Sequence, residues 1–116
     1  MKRGDVILVR FPHPSGMRGK KRPAVAIQSD AYSQSVSTLV VAEVTRNLMM
    51  AGDPACLLID VDTPEGKATG LPHPSFVSCL LLATIDTFTV ADVVESLSPS
   101  MIIKLNACLE AGLGLS

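Results

Sequence analysis

Positively charged side chains are concentrated at the start of this chain. Residues 1–22 contain seven lysines and arginines against Asp5 alone, whereas the remaining residues contain three cations and ten acids. The first segment therefore has a net charge of +6 and the rest a net charge of −7. A basic segment of this kind suits a polyanion, and the acidic remainder would repel a long duplex and attract a basic partner. The composition alone favours the plainer interpretation, a solvated strand and loop.

Other side chains that could do chemistry are few. His13 and His73 could carry protons near neutral pH, but each stands beside prolines, a setting typical of surface turns. Cys56, Cys79 and Cys108 are widely spaced and odd in number, so they match neither a disulfide framework nor a paired metal motif. We interpret them as small buried hydrophobic residues.

The composition predicts one compact domain that spans residues 1–116. Hydrophobic residues make up 47% of the chain and charged residues 18%, which argues against disorder. The longest apolar stretch, around Phe76 to Ile85, is too short to cross a bilayer. Lys2, Arg3 and Asp5 precede an alternating strand rather than the apolar region of a signal peptide. We therefore expect a cytoplasmic protein without a membrane segment.

Short apolar segments separated by turn signals predict a series of β-strands. Prolines end the first strand because they cannot donate to a ladder, and the glycines and lysines from Ser15 to Lys21 predict a flexible basic loop. The predicted strands are Val6 to Phe11, Pro23 to Gln28, Leu39 to Val44, Ala55 to Val61, and Phe76 to Phe88 as one long strand or two short ones. Such a series indicates a barrel or a sandwich.

The C-terminal segment has the pattern of a helix. Ser98 and Pro99 suit the N-cap and the first helical position, and Gly112 stands where a C-terminal cap is expected. Apolar residues recur at helical spacing, namely Met101, Ile102, Leu105, Cys108 and Leu109. The pattern predicts a helix of roughly three turns whose apolar stripe packs on the barrel or on another subunit.

Several of these segments together resemble the MazF/PemK toxin family. They are the run from Arg3 to Val9, the basic residue with Arg-Pro-Ala-Val at 21–25, and the strand from Leu39 to Thr45. The resemblance continues through Gly70-Leu71, residues 84–86 and the helix. It implies a mainly β fold with a C-terminal α-helix, as an SH3-like small β-barrel of the CcdB/PemK-like kind. It also implies a homodimer whose paired grooves hold single-stranded RNA, a cognate antitoxin that occupies the same surface, and no cofactor.

The resemblance implies a metal-independent endoribonuclease. In this reaction the 2′-hydroxyl of the RNA attacks the neighbouring phosphorus, which gives a 2′,3′-cyclic phosphate and a free 5′-hydroxyl. Arg22 matches the family's catalytic arginine, whose guanidinium can hold two phosphate oxygens and stay charged. We expect it to stabilise charge first and to donate a proton second, since so strong a base is a poor proton acceptor. Thr45 matches the second catalytic position, where its hydroxyl could donate to a phosphate oxygen.

Further residues are candidates for contacts with RNA. The basic loop supplies Arg18, Lys20 and Lys21, which could form a rim that attracts RNA. The third strand is followed by Arg46 and Asn47, for which a solvated loop is the plainer interpretation. The predicted fifth strand is preceded by Ser75.

Two positions depart from the family pattern. Many relatives have an acidic residue in the first loop, where this chain has Met17 and Arg18. Many also have a carboxylate in the later strand, where this chain has Leu80 and Leu81. Because that carboxylate has a catalytic or base-reading role in some members, its function is either absent here or carried by another residue.

Two other functions remain compatible with such a fold. A CcdB-like toxin shares the barrel and binds DNA gyrase, but its action depends on a C-terminal end that contains tryptophan, and this chain has no tryptophan. A noncatalytic SH3-like interaction module would use the basic loop for docking. Such modules bind proline-rich ligands through aromatic grooves. This chain has one tyrosine and three phenylalanines, which are too few to favour such a groove.

Overall fold

The computed structural model describes residues 1–10 and 20–115, and within them it contains six strands and two helices. In chain order they are β1 (Asp5–Arg10), β2 (Lys21–Ala26), β3 (Thr38–Thr45), β4 (Cys56–Ile59), α1 (Pro64–Lys67), β5 (Ser75–Asp86), β6 (Val90–Ser96) and α2 (Pro99–Leu113). Short 3-10 turns at Asp30–Tyr32, Leu48–Met50 and Thr87–Thr89 connect them. None of the described helices is long and apolar enough to cross a membrane.

The strands form a single antiparallel sheet in the order β4-β5-β3-β2-β1-β6. The expectation of a mainly β fold with a C-terminal helix is confirmed. The term barrel describes it only loosely, because β4 pairs with β5 alone and β6 with β1 alone in the described part of the chain. These two strands are therefore the edges of an open sheet.

Alternating residues of the central strands bury both faces of the sheet. On one face Val6, Val25 and Ala42 belong to a cluster that includes Leu105 and Cys108 of α2. On the other face Ile7, Val9, Ala24 and Val41 form a second cluster. The apolar stripe of α2 thus packs on its own sheet, which was one of the two predicted partners. A fully buried aliphatic side chain of this kind contributes roughly 1.5–3 kcal/mol to stability.

The sequence located five of the six strands, with ends displaced by a few residues. The segment 76–88 is one strand rather than two, since β5 is continuous from Ser75 to Asp86. β6 was not predicted, because most of its residues are exposed and it carries Asp92 and Glu95 instead of a clear apolar alternation. It forms by pairing with β1, and Val6 lies opposite Glu95 in that pair.

The start of α2 was predicted correctly and its end was wrong. The Ser98 hydroxyl accepts a hydrogen bond from the Met101 amide at 3.3 Å, as an N-cap does. The helix runs past Gly112 and ends at Gly114, which has a left-handed φ of 69°. Gly112 instead allows α2 to pack closely on β5, because a Cβ there would lie 2.9 Å from the carbonyl oxygen of Cys79.

Candidate functional site

The register of β2 and β3 relates the two predicted catalytic residues to each other. The register of this pair places Ala24 opposite Glu43 and Val25 opposite Ala42. Continued by two residues, the same register places Arg22 opposite Thr45. Residues that oppose each other in an antiparallel pair project to the same face of the sheet. In this continued register the arginine and the threonine lie at one corner of the sheet.

The Arg22 side chain is exposed at the beginning of β2. Its neighbour across the sheet on the other side is Val9 of β1. No residue in the described ranges forms a hydrogen bond or an ion pair with its guanidinium. Lys20 and Lys21 precede it and are also exposed, so three cations follow one another at this corner.

Thr45 is half-buried, and hydrogen bonds fix the chain that follows it. Its Oγ1 accepts from the Asn47 amide at 3.1 Å, which leaves the hydroxyl proton to be donated elsewhere. Asn47 caps the next turn in the same way, since its Oδ1 accepts from the Met49 amide at 3.0 Å. Asn47 therefore offers an incoming ligand its amide hydrogens more readily than its oxygen.

A groove of about 590 Å³ begins at Thr45, and we call it the Thr45 groove. Four of its lining residues have polar side chains: Thr45, Arg46, His73 and Ser75. The rest are Leu8, Pro23, Val44, Gly70, Leu71, Pro72 and Val94. Arg22 is not among the lining residues, although its neighbour Pro23 is. Thr45 therefore lines the groove and also opposes Arg22 in the continued register, at what we call the Arg22 corner.

The segment 72–75 forms one wall of the Thr45 groove. The Ser75 hydroxyl is buried and donates to the carbonyl oxygen of His73 at 2.8 Å. The hydroxyl proton is therefore used by the chain's own backbone, and only the lone pairs of the oxygen remain for a ligand. His73 lies exposed between two prolines, as expected for a surface histidine. The apolar walls were not predicted, since they join this turn to β1, β2, β3 and the unpredicted β6.

Arg18, His13 and Met17 lie outside the described residues. Leu80 and Leu81, which stand where many relatives have a carboxylate, are 55% and 43% exposed on β5. No group of three histidine, cysteine or acidic side chains within residues 1–10 and 20–115 is placed to hold a metal ion.

Two of the three cysteines are buried as predicted. Cys79 and Cys108 belong to the core cluster beneath α2, and burial raises the pKa of Cys79 to about 12. Cys56 is half-buried, and its Sγ lies 3.6 Å from the Ser78 hydroxyl oxygen.

A family model matches this sequence over nearly its whole length. The model describes PemK-like, MazF-like toxins of type II toxin-antitoxin systems, and the match covers residues 2–113. The chain belongs to the PemK/MazF toxin family. Curated relatives match this toxin over nearly the whole of both chains. Endoribonuclease MazF6 of Mycobacterium tuberculosis is 28% identical over 115 residues, which cover 97% of this chain and 96% of the relative. Endoribonuclease EndoA of Bacillus subtilis is 28% identical over 116 residues, with coverages of 99% and 96%.

Solved structures share the fold of this PemK/MazF toxin. A mycobacterial endoribonuclease in complex with its cognate antitoxin superposes with a TM-score of 0.79 at 16% identity, over 100% of this chain and 97% of that one. The Mycobacterium tuberculosis toxin MazF-mt6 gives 0.77 at 19% identity, over 97% and 98%. A MazE-MazF structure from Deinococcus radiodurans gives 0.76 at 16%, over 100% and 98%. At such low identity these likenesses show the fold alone.

Proposed function

We propose that this PemK/MazF toxin is an endoribonuclease that cleaves single-stranded RNA without a metal ion. The observation that carries the proposal is the β2–β3 register, whose continuation sets an exposed arginine opposite a threonine hydroxyl. Membership of the family and the names of the curated relatives, which are endoribonucleases, support the same activity. The CcdB-like alternative and the binding module are not favoured by any of these observations.

The chemistry suits a permanent cation beside a hydroxyl. When the 2′-hydroxyl attacks phosphorus, negative charge grows on the nonbridging phosphate oxygens. The Arg22 guanidinium holds two of these oxygens at once, and the Thr45 hydroxyl can donate a hydrogen bond to the oxygen on which the charge develops. Each group needs little rearrangement as the transition state forms, which is the condition for strong electrostatic catalysis.

The neighbouring cations gather the substrate. Lys20, Lys21 and Arg46 are exposed on either side of the Arg22 corner, and Arg18 completes the rim in our proposal. Phosphate contacts of this kind give affinity that falls with salt. Removing one lysine should weaken RNA binding modestly and lower the salt dependence by about one counterion, while turnover continues.

The proposal includes two protein partners and a cellular location. A cognate antitoxin is present in the solved complex of a mycobacterial relative, and we assign this toxin a partner of its own. We also assign it a homodimer in the cytoplasm. Leu48 and Met49, exposed by 79% and 83% directly after the Thr45 turn, supply apolar surface that a second subunit could cover.

Purified toxin, free of antitoxin, should cut a long single-stranded RNA in the presence of EDTA. Arg22→Ala should reduce the rate about 100- to 1000-fold, as expected when one oxyanion-stabilising donor is lost. Arg22→Lys keeps the charge without the two-pronged geometry and should recover only a small part. Lys104→Ala, which removes an exposed cation from α2, is the matched control and should cut normally. Undiminished cleavage by a folded Arg22→Ala protein would remove Arg22 from the mechanism.

A further inference from the structure

The Thr45 groove lies next to the Arg22 corner, since Pro23 and Thr45 line it and Arg22 does not. Its volume of about 590 Å³ falls in the range of small-molecule sites, roughly 300–1,000 Å³. Most of its lining is apolar, with a few polar groups at one side. Such a lining suits a flat ring whose faces are apolar and whose edge forms hydrogen bonds.

We propose that the Thr45 groove is a nucleobase subsite, which holds one unstacked base of the RNA next to the cleaved phosphate and reads it through His73. The inference rests on the proposed function, because it names a specificity residue for the same reaction. Proteins that recognise single-stranded RNA splay bases out, stack them on aromatic rings including histidine, and bond their edges.

Neighbouring residues constrain the backbone at His73. Pro72 and Pro74 restrict the backbone on both sides, and the buried Ser75 hydroxyl holds the His73 carbonyl at 2.8 Å. Gly70, at the start of the same turn, packs against Val94 of β6. The imidazole itself is exposed and bonds no side chain in the described ranges. A ring held in this way can stack on a base and still use its nitrogens as donor or acceptor.

The charge of the groove favours an anionic ligand such as RNA over a cationic or neutral one. Arg46 contributes a cation, and none of the described residues that line the Thr45 groove is acidic. A second groove of about 460 Å³, beside α2, provides the contrast, since Asp60 and Glu65 line it with Lys104. Phosphates would be repelled there and attracted at the Thr45 groove.

Thr45 fixes which base is held. Its hydroxyl contacts the cleaved phosphate in the proposed mechanism, and the same residue lines the groove. The base in the groove therefore belongs to a nucleotide that flanks that phosphate. Leu80 and Leu81 cannot bond a base edge, so the reading group lies on the turn before β5 instead of on the strand.

The test is to digest a random-sequence RNA library with four proteins and to sequence the ends. His73→Ala should lose the base preference at one position beside the cut, and its kcat/KM on the preferred sequence should fall about tenfold, as for loss of one stacked base. His73→Phe keeps a ring without nitrogens and should retain affinity with a relaxed or altered preference. Tyr32→Ala removes another exposed ring, outside the groove, and should match the unmodified toxin. If His73→Ala cuts the same sequences with the same preference, the subsite is refuted.

A binding measurement separates this inference from the proposed function. Uncleavable 2′-O-methyl hexanucleotides of each base, added to the unmodified toxin, should shift the amide signals of Gly70, Leu71, His73, Ser75 and Val94, and one base should act most strongly. Absence of these shifts, or equal shifts in His73→Ala, would overturn the subsite even if RNA is cleaved. A toxin that cleaves no RNA refutes the function independently. If His73→Ala weakens only neutralisation by the antitoxin, the groove belongs to that protein and our inference is wrong.

Discussion

Gly70, in the turn before β5, packs closely against Val94, which lines the Thr45 groove. Its φ is +75°, and a Cβ added there would lie 2.6 Å from Cγ1 of Val94. Gly70→Ala must therefore place an alanine in a left-handed conformation and also displace a valine that lines the groove. We expect both stability and RNA cleavage to suffer.

The two costs can be estimated separately. The left-handed conformation costs a residue with a Cβ about 1–2 kcal/mol. Overpacking against Val94 adds about 1–3 kcal/mol, so the total loss is about 2–5 kcal/mol. Gly52 provides a matched control, because its φ is +80° and a Cβ there meets nothing within 4 Å. Gly52→Ala should show the conformational cost alone.

Urea denaturation of these variants measures the difference directly. Gly70→Ala should be less stable than Gly52→Ala by about 1–3 kcal/mol, or a melting temperature lower by roughly 4 °C per kcal/mol. Val94→Ala makes room for the new methyl group, so the double variant with Gly70→Ala should lose less than the sum of the single variants. If the two glycine variants are equally stable, the close packing of Gly70 on Val94 is not present in solution.

Two smaller predictions concern titratable groups. Hydrogen bonds from the Ser100 and Ser98 hydroxyls lower the pKa of Glu65. These hydrogen bonds therefore add their full stability above the ordinary carboxyl pKa, and that stability is lost as the pH falls through the lowered pKa of Glu65. The difference in melting temperature between the unmodified toxin and Glu65→Gln should therefore shrink on acidification, and a difference that grows would contradict the assignment. Cys56 should react with a thiol reagent in the folded toxin well before Cys79, whose pKa burial raises to about 12; equal rates would mean that the core beneath α2 opens readily.

Local patterns were sufficient for most of the fold. Strong apolar runs predicted β1 to β5, and Ser98-Pro99 predicted the start of α2. They did not predict β6, because its stability comes from pairing with β1, more than eighty residues earlier in the chain. Gly112 was taken for a helix end since sequence cannot distinguish a glycine that ends a helix from one that permits close packing on β5.

Only part of the candidate site was predictable from the sequence. Arg22 and Thr45 were identified by resemblance, and the strand register then relates them to each other. The Thr45 groove was not predictable, because its walls come from four strands and the turn at 70–74. His73 stood out in the sequence only as a titratable residue among prolines. Its relation to Thr45 and Arg46 depends on contacts between distant segments.

The chemical nature of the cut ends tests the central claim most directly. RNA digested by the unmodified toxin in EDTA should carry 5′-hydroxyl ends, which a polynucleotide kinase labels without prior phosphatase treatment, and 2′,3′-cyclic phosphates on the opposite fragments. Fragments with 5′-phosphate and 3′-hydroxyl ends, or intact RNA after incubation with antitoxin-free toxin, would contradict attack by the 2′-hydroxyl at the Arg22 corner.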